Sequence, residues 1–199
     1  MFKRQIVPIL SVLCLCSLSA ARASTIDQHT TGPSTGGTGF YGQNFITPAG
    51  NPFDNIVFTF LTTGGANFAT GTGFLLSSQY LGTPAALSNA TPGFLGLAAA
   101  SGNLYTFSPS LTLAPATTYW FYENASIASG TIFGGDVYAG HQFYFSSSSG
   151  SPFANQTPSA LNFRVTGNLV PEPSTYALLS AGLASLFGVA RIKSRGKIR

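Results

Sequence analysis

Charge is what this 199-residue chain has least of: only 7% of its residues are Asp, Glu, Lys or Arg, against about 25% in ordinary soluble domains. Basic charge is absent from almost the whole interior. Lys3, Arg4 and Arg22 stand at one end, and Arg191, Lys193, Arg195, Lys197 and Arg199 at the other. Between Ser24 and Val170 only Arg164 is basic, against Asp27, Asp54, Glu123 and Asp136, a net charge of −3. The overall +4 is therefore a property of the ends. Nucleic-acid binding needs a clustered basic face, and none is available here. Cysteine is confined to Cys14 and Cys16, both inside an apolar N-terminal stretch and neither preceded by a lipobox. Beyond residue 16, disulfides, thiolate metal sites and a cysteine nucleophile are excluded. No convincing 3.6-residue periodicity runs through residues 40–168, and no repeat of fixed length is present.

What is present starts with an export signal. Met1–Arg4 is positive, Ile6–Ala20 is mostly apolar, and Ala21-Arg22-Ala23 is a small-x-small cleavage pattern. Residues 1–23 are expected to be a signal peptide in helical form, cut between Ala23 and Ser24. Residues 24–39, rich in Gly, Thr, Ser and Pro, read as a flexible lead-in. Residues 40–168 carry short apolar alternations. Ile56, Phe58 and Phe60 share one face, with Val57, Thr59 and Leu61 on the other. Tyr105 with Phe107, Phe143 with Phe145, and Leu161 with Phe163 and Val165 repeat the pattern. Leu95–Ala100 offers one helical turn, but Gly93, Gly96 and Gly102 surround it. Such strands, punctuated by Gly, Pro, Asn and Ser, predict an all-β antiparallel sandwich, Greek-key or jelly-roll-like. Leu113-Ala114-Pro115-Ala116-Thr117-Thr118-Tyr119 resembles a tyrosine corner, in which the Tyr hydroxyl bonds backbone a few residues upstream.

The C-terminus, residues 169–199, is organised as an address. Pro171-Glu172-Pro173 holds an extended segment. The uncharged residues 175–190 follow, expected to form a short transmembrane helix of roughly 24 Å. A basic end at residues 191–199 would stay cytoplasmic. In that order, these features resemble the PEP-CTERM sorting signal of Gram-negative, biofilm-forming bacteria. The resemblance implies recognition by exosortase, a membrane enzyme thought to cleave near the motif and pass the protein to the surface. More loosely, Tyr41-Gly42-Gln43-Asn44-Phe45 and the run Leu111–Tyr122 are similar to other exported domains that carry this tail.

Motifs for chemistry are weak. Gly32-Pro33-Ser34-Thr35-Gly36 lacks the strand and helix that a nucleophile elbow needs. Gly37-Thr38-Gly39-Phe40-Tyr41-Gly42 precedes a strand-like run, not a helix N-terminus that could meet a pyrophosphate. His141 lies five residues after Asp136, and His29 lies in the lead-in. Asp54 and Glu123 would serve as a glycosidase pair only if the fold joined them. Asp136 with backbone carbonyls is a poor calcium site. The Asn89, Asn124 and Asn155 sequons mark polar turns. The best binding candidates are Trp120 and Tyr122, which face away from Tyr119 and Phe121 and could stack on sugar rings if exposed. No cofactor, metal or nucleic-acid partner is expected. The expectation is an exported, surface-sorted, non-enzymatic sandwich associated with extracellular polysaccharide or biofilm matrix. A carbohydrate-binding module and, less favoured, an extracellular hydrolase are the alternatives.

Overall fold

The computed structural model describes residues 23–31, 37–62, 64–132, 134–156 and 159–171, together with residue 182. The signal segment before Ala23, the apolar span of the tail apart from residue 182, and the basic end lie outside the described residues. Among those that are described, no helix is long and apolar enough to cross a membrane.

The domain is all-β and antiparallel, as the alternations predict. Its strands are β1 (Ser24–His29), β2 (Phe40–Ile46), β3 (Phe53–Leu61), β4 (Asn67–Phe68), β5 (Thr72–Leu76), β6 (Phe94–Ser101), β7 (Leu104–Thr106), β8 (Thr118–Glu123), β9 (Gly134–Val137), β10 (Phe143–Ser146), β11 (Ala154–Asn155), β12 (Ser159–Leu161) and β13 (Phe163–Leu169). One sheet runs β1-β13-β3-β7 and the other β5-β8-β2-β10-β11. The strand β6 joins them: Phe94–Ala99 pair with β5, and Ala100 and Ser101 with β7. Gly96 and the small residues 98–100 let β6 pass from one sheet to the other, where a helical turn was the other possibility. Gly102 and Asn103, both at positive φ, close β6 onto β7. Two consecutive left-handed residues give the tight hairpin whose twist suits its strands.

The two sheets meet over an aromatic core. Ile56, Phe58, Phe60, Phe163 and Val165 point inward from one sheet, and Phe45, Leu75, Tyr119 and Phe121 from the other. Phe58 and Phe121 stack across the interface with ring centroids 3.9 Å apart and planes 10° apart. Rings so large need space on the neighbouring strand. At Gly73 a Cβ would come within 2.4 Å of the Phe121 ring.

Two expectations about boundaries change. The first concerns residues 24–39, read as a flexible lead-in. Ser24–His29 form the edge strand β1, paired with β13 from Ser24 opposite Gly167 to His29 opposite Phe163. Ile26, Asp27 and His29 are buried there. The domain therefore begins at the residue expected to follow signal cleavage. The second concerns the run from Leu161 to Val165, which is not one strand. Asn162 interrupts it; its carbonyl accepts from the Leu61 N–H at 2.9 Å. That break lets β12 pair with β9 while β13 continues beside β3.

The tyrosine corner is present. The Tyr119 hydroxyl accepts from the Ala114 N–H at 2.8 Å, five residues upstream. Thr47 closes the same loop: its hydroxyl donates to the Ala114 carbonyl at 2.7 Å and accepts from the Thr117 N–H at 2.9 Å. Each residue of Tyr41–Phe45 likewise has a structural task. The Tyr41 hydroxyl bonds the Gly37 carbonyl. Gly42 lies flat beneath the Tyr122 ring, where a Cβ would come within 2.3 Å. The buried Gln43 accepts from the Leu161 N–H at 2.8 Å, tying β12 to β2. Asn44 accepts from the Gln142 N–H at 2.6 Å and donates to the Gly140 carbonyl at 3.1 Å. Phe45 fills the core.

Candidate functional site

The aromatic strand β8 was the leading binding candidate. Its inward face is Tyr119 and Phe121, as the alternation predicts. Its outward face is largely covered. Tyr122 is fully buried in a second apolar layer with Phe40, Phe74, Leu76, Leu87, Tyr144 and Phe153. The loop after β5, with a single 3₁₀ turn at Pro84–Ala86, folds over this face. It locks to the loop after β10 through Ala85 N–H to Ser149 O and Phe153 N–H to Gly82 O, both 3.0 Å. The Tyr122 hydroxyl accepts from the Tyr80 N–H at 3.0 Å, and burial pushes its phenol well up. Trp120 is half-buried at the rim, its Nε1–H donated to the Tyr144 hydroxyl at 3.1 Å. Tyr122 is thus enclosed and presents no stacking surface, so the paired platform drawn from alternation does not form. Alternation shows which face a ring is on, and the covering loops decide whether that face is wet.

The ionisable groups gather elsewhere. The Asp27 carboxylate receives the Ile46 N–H at 2.7 Å, the Tyr138 hydroxyl at 3.0 Å and His141 Nε2 at 2.6 Å. Burial opposes its ionisation, but the bonds from His141 and Ile46, the charge of His141 and the bond from Tyr138 outweigh that, and its carboxyl lies below the usual range. The Tyr138 ring is stacked between two histidines, 3.8 Å from His141 and 4.8 Å from His29. Burial and the Asp27 carboxylate push the Tyr138 phenol up to about 12. Burial pulls the His29 imidazole below its ordinary value, and its Nε2 has no hydrogen-bond partner. The sequence reading missed this cluster because Asp27 and His29 were assigned to a lead-in; recognising β1 as a strand would have revealed it.

The cluster does not have the geometry of a serine hydrolase. His141 Nδ1 faces the Ala139 carbonyl at 2.9 Å, and Nε2 faces Asp27. Both ring nitrogens are thus taken up by the Ala139 carbonyl and the Asp27 carboxylate, and neither is paired with a serine. Asp136 bonds its neighbouring Val137 N–H at 2.7 Å, not His141. Asp54 and Glu123 stand on different sheets. Glu123 is enclosed, one oxygen accepting from the Tyr41 N–H at 3.0 Å and the other from the Ala125 N–H at 3.1 Å. Burial raises its carboxyl well above the usual range. Among the described residues no three His, Cys, Asp or Glu side chains gather as metal ligands.

The remaining site is the point where the chain leaves the domain. The last strand, β13, ends at Leu169. Val170 donates its N–H to the Pro52 carbonyl at 2.9 Å, and Pro171 follows at once, exposed. Ala23, also exposed, leads directly into β1, and Ser24 is paired with Gly167. The expected signal segment and the tail thus join the fold at the same end of two neighbouring strands, the edge strand β1 and β13 beside it. The family model of the PEP-CTERM protein-sorting motif matches residues 169–194. The chain carries a PEP-CTERM sorting motif. The match begins on the last residue of β13, so the sorting motif starts with no intervening linker. It supports export, sorting towards the cell surface and recognition by an exosortase-type enzyme. The Glu172 and Pro173 side chains of the motif lie outside the described residues. No curated protein and no solved structure matches the chain.

Proposed function

We propose that the mature protein is a non-enzymatic, surface-sorted β-sandwich that associates with extracellular polysaccharide, after passing through a stage in which its tail tethers it to the inner membrane. The observation that carries this reading is the sorting motif fused directly to the last strand of a two-sheet domain. A sorted domain arrives among extracellular polymers. The side chains that catalysis would draw on are engaged in holding the fold: His141 with both nitrogens, Glu123 with both oxygens, and Asp27 with three donors. The burial of Tyr122 weighs against the paired aromatic platform as the ligand surface.

Deleting the gene and fractionating the culture tests the association. The expected result is that the protein partitions with the extracellular polymer and that the deletion strain aggregates less. Protein recovered wholly free of polymer, with unchanged aggregation in the deletion strain, would contradict it.

A further inference from the structure

Arg164 is the one cation between Ser24 and Val170. It stands on the outer face of the β1-β13-β3 sheet, paired in register with Gln28 on one side and Thr59 on the other. Its Nε–H donates to the Gln28 amide oxygen at 2.8 Å, which orients the guanidinium across the sheet. Among the described residues the sole ion pair is His141 with Asp27, and none of their carboxylates pairs with Arg164. The side chain lines an open groove of about 250 Å³ with Val57, Thr59, Asn67, Leu104 and Thr166. The next row of the same face is Thr166 opposite Val57. Thr59 at the β4 side of this face is buried, its hydroxyl bonded to the Phe68 and Asn103 carbonyls, while Val57, Arg164 and Thr166 are half-buried and line the open side of the groove.

The chemistry of the groove is mixed in a particular way. A planar guanidinium with free donors suits a carboxylate, which it can hold through two parallel bonds. Asn67 and Thr166 add groups that can bond hydroxyls, while Val57 and Leu104 provide apolar ground for the C–H face of a ring. The volume is below the roughly 300–1,000 Å³ of pockets for drug-sized ligands, so one ring of a longer chain fits better than a large separate molecule. The geometry points to a subsite for one acidic sugar, a uronate unit of an anionic polysaccharide, held by Arg164. This rests on the reading of polysaccharide association and names the glycan chemistry and the residue. With a domain net charge of −3, the contact is local, not a steered encounter between oppositely charged bodies. Moderate salt should therefore weaken it little, in contrast to a polybasic site.

The experiment uses the exported protein purified from cells, titrated against polymannuronate, neutral dextran of matched length, and vesicles of anionic phospholipid. Wild type is expected to bind polymannuronate and not dextran or vesicles. Arg164→Gln should weaken that binding roughly tenfold or more, the loss typical of a charge-assisted hydrogen bond. Thr166→Trp, which fills the groove while keeping the cation, should weaken it similarly; melting curves confirm that each variant is folded. Polymannuronate binding that survives both substitutions would overturn the site and leave the polysaccharide association standing. Equal binding to dextran would overturn the acidic-sugar assignment alone. Arg164-dependent binding to vesicles, with none to polymannuronate, would overturn it in favour of a membrane surface. Failure to bind any glycan would overturn both the site and the association.

Discussion

At the residue scale, the titratable side chains pull stability in opposite directions with pH. Asp27 has a folded-state value below its ordinary one, so it contributes stability that is complete above its unfolded value and lost as pH falls through the folded one. The His29 value is lowered as well; the buried neutral ring is favourable above about 6.5 and its contribution declines below that. Glu123 has the reverse sign: its value is raised, so its penalty grows as pH climbs through the folded value. Acidification from neutral should therefore weaken the fold first through His29 and then through Asp27, while relieving the Glu123 penalty. Chemical denaturation of wild type and Asp27→Asn across pH 3–8 separates the Asp27 share; an equally steep acid limb in both would contradict it. In Asp27→Asn an amide N–H₂ must face donors that the carboxylate accepted. The expected loss at neutral pH is about 2–3 kcal/mol, with a flatter acid limb. Two further substitutions test packing claims. Tyr119→Phe leaves the Ala114 N–H without its partner and should cost about 1–3 kcal/mol in urea denaturation. Gly42→Ala drives a methyl into the Tyr122 ring and should cost about 1–3 kcal/mol.

At the element scale, β1 is the strand whose removal is most informative. As a flexible lead-in, residues 24–39 could be trimmed without effect. As an edge strand, Ser24–His29 bury Ile26 and supply Asp27 and His29 to the ring stack beside β10. A chain beginning at residue 40 should melt many degrees lower and be cut rapidly by protease; an unchanged melting curve would contradict the assignment. The contrast shows what a single sequence can disclose. Inward-facing alternations were legible at Ile56-Phe58-Phe60 and at Tyr119-Phe121, because a half-buried strand leaves a period of two. The tyrosine corner was legible because it is local, within seven residues. The strand β1 was obscured by the Gly/Thr/Ser/Pro stretch that follows it, and its partner β13 lies about 140 residues away. The burial of Tyr122 was illegible for the same reason: the loops that cover it belong to residues 77–93 and 147–153, and no local pattern announces that two loops will meet. The groove at Arg164 needed the register of three strands before its lone charge acquired a location.

At the scale of the whole molecule, the sorting motif supports export and sorting towards the cell surface. Ser24 is paired with Gly167, so the residue expected to follow signal cleavage and the start of the sorting motif lie side by side. Export through the expected signal segment and arrest by the tail would hold that end of the sandwich towards the membrane, with the opposite end outward. The absence of a linker between Leu169 and the motif means that a processing enzyme meets the motif close against the folded domain. Replacing Pro171, Glu172 and Pro173 together with alanine should leave the fold intact and abolish sorting, read as protein retained in the inner-membrane fraction. The most direct test is mass spectrometry of the mature chain, from cells with and without the exosortase-type enzyme. The account predicts a surface or extracellular species that begins at Ser24 and has lost Arg199 and the apolar span in cells with the enzyme, and a longer, membrane-bound species without it. A chain that keeps Arg199 and stays in the inner membrane in both strains would contradict it.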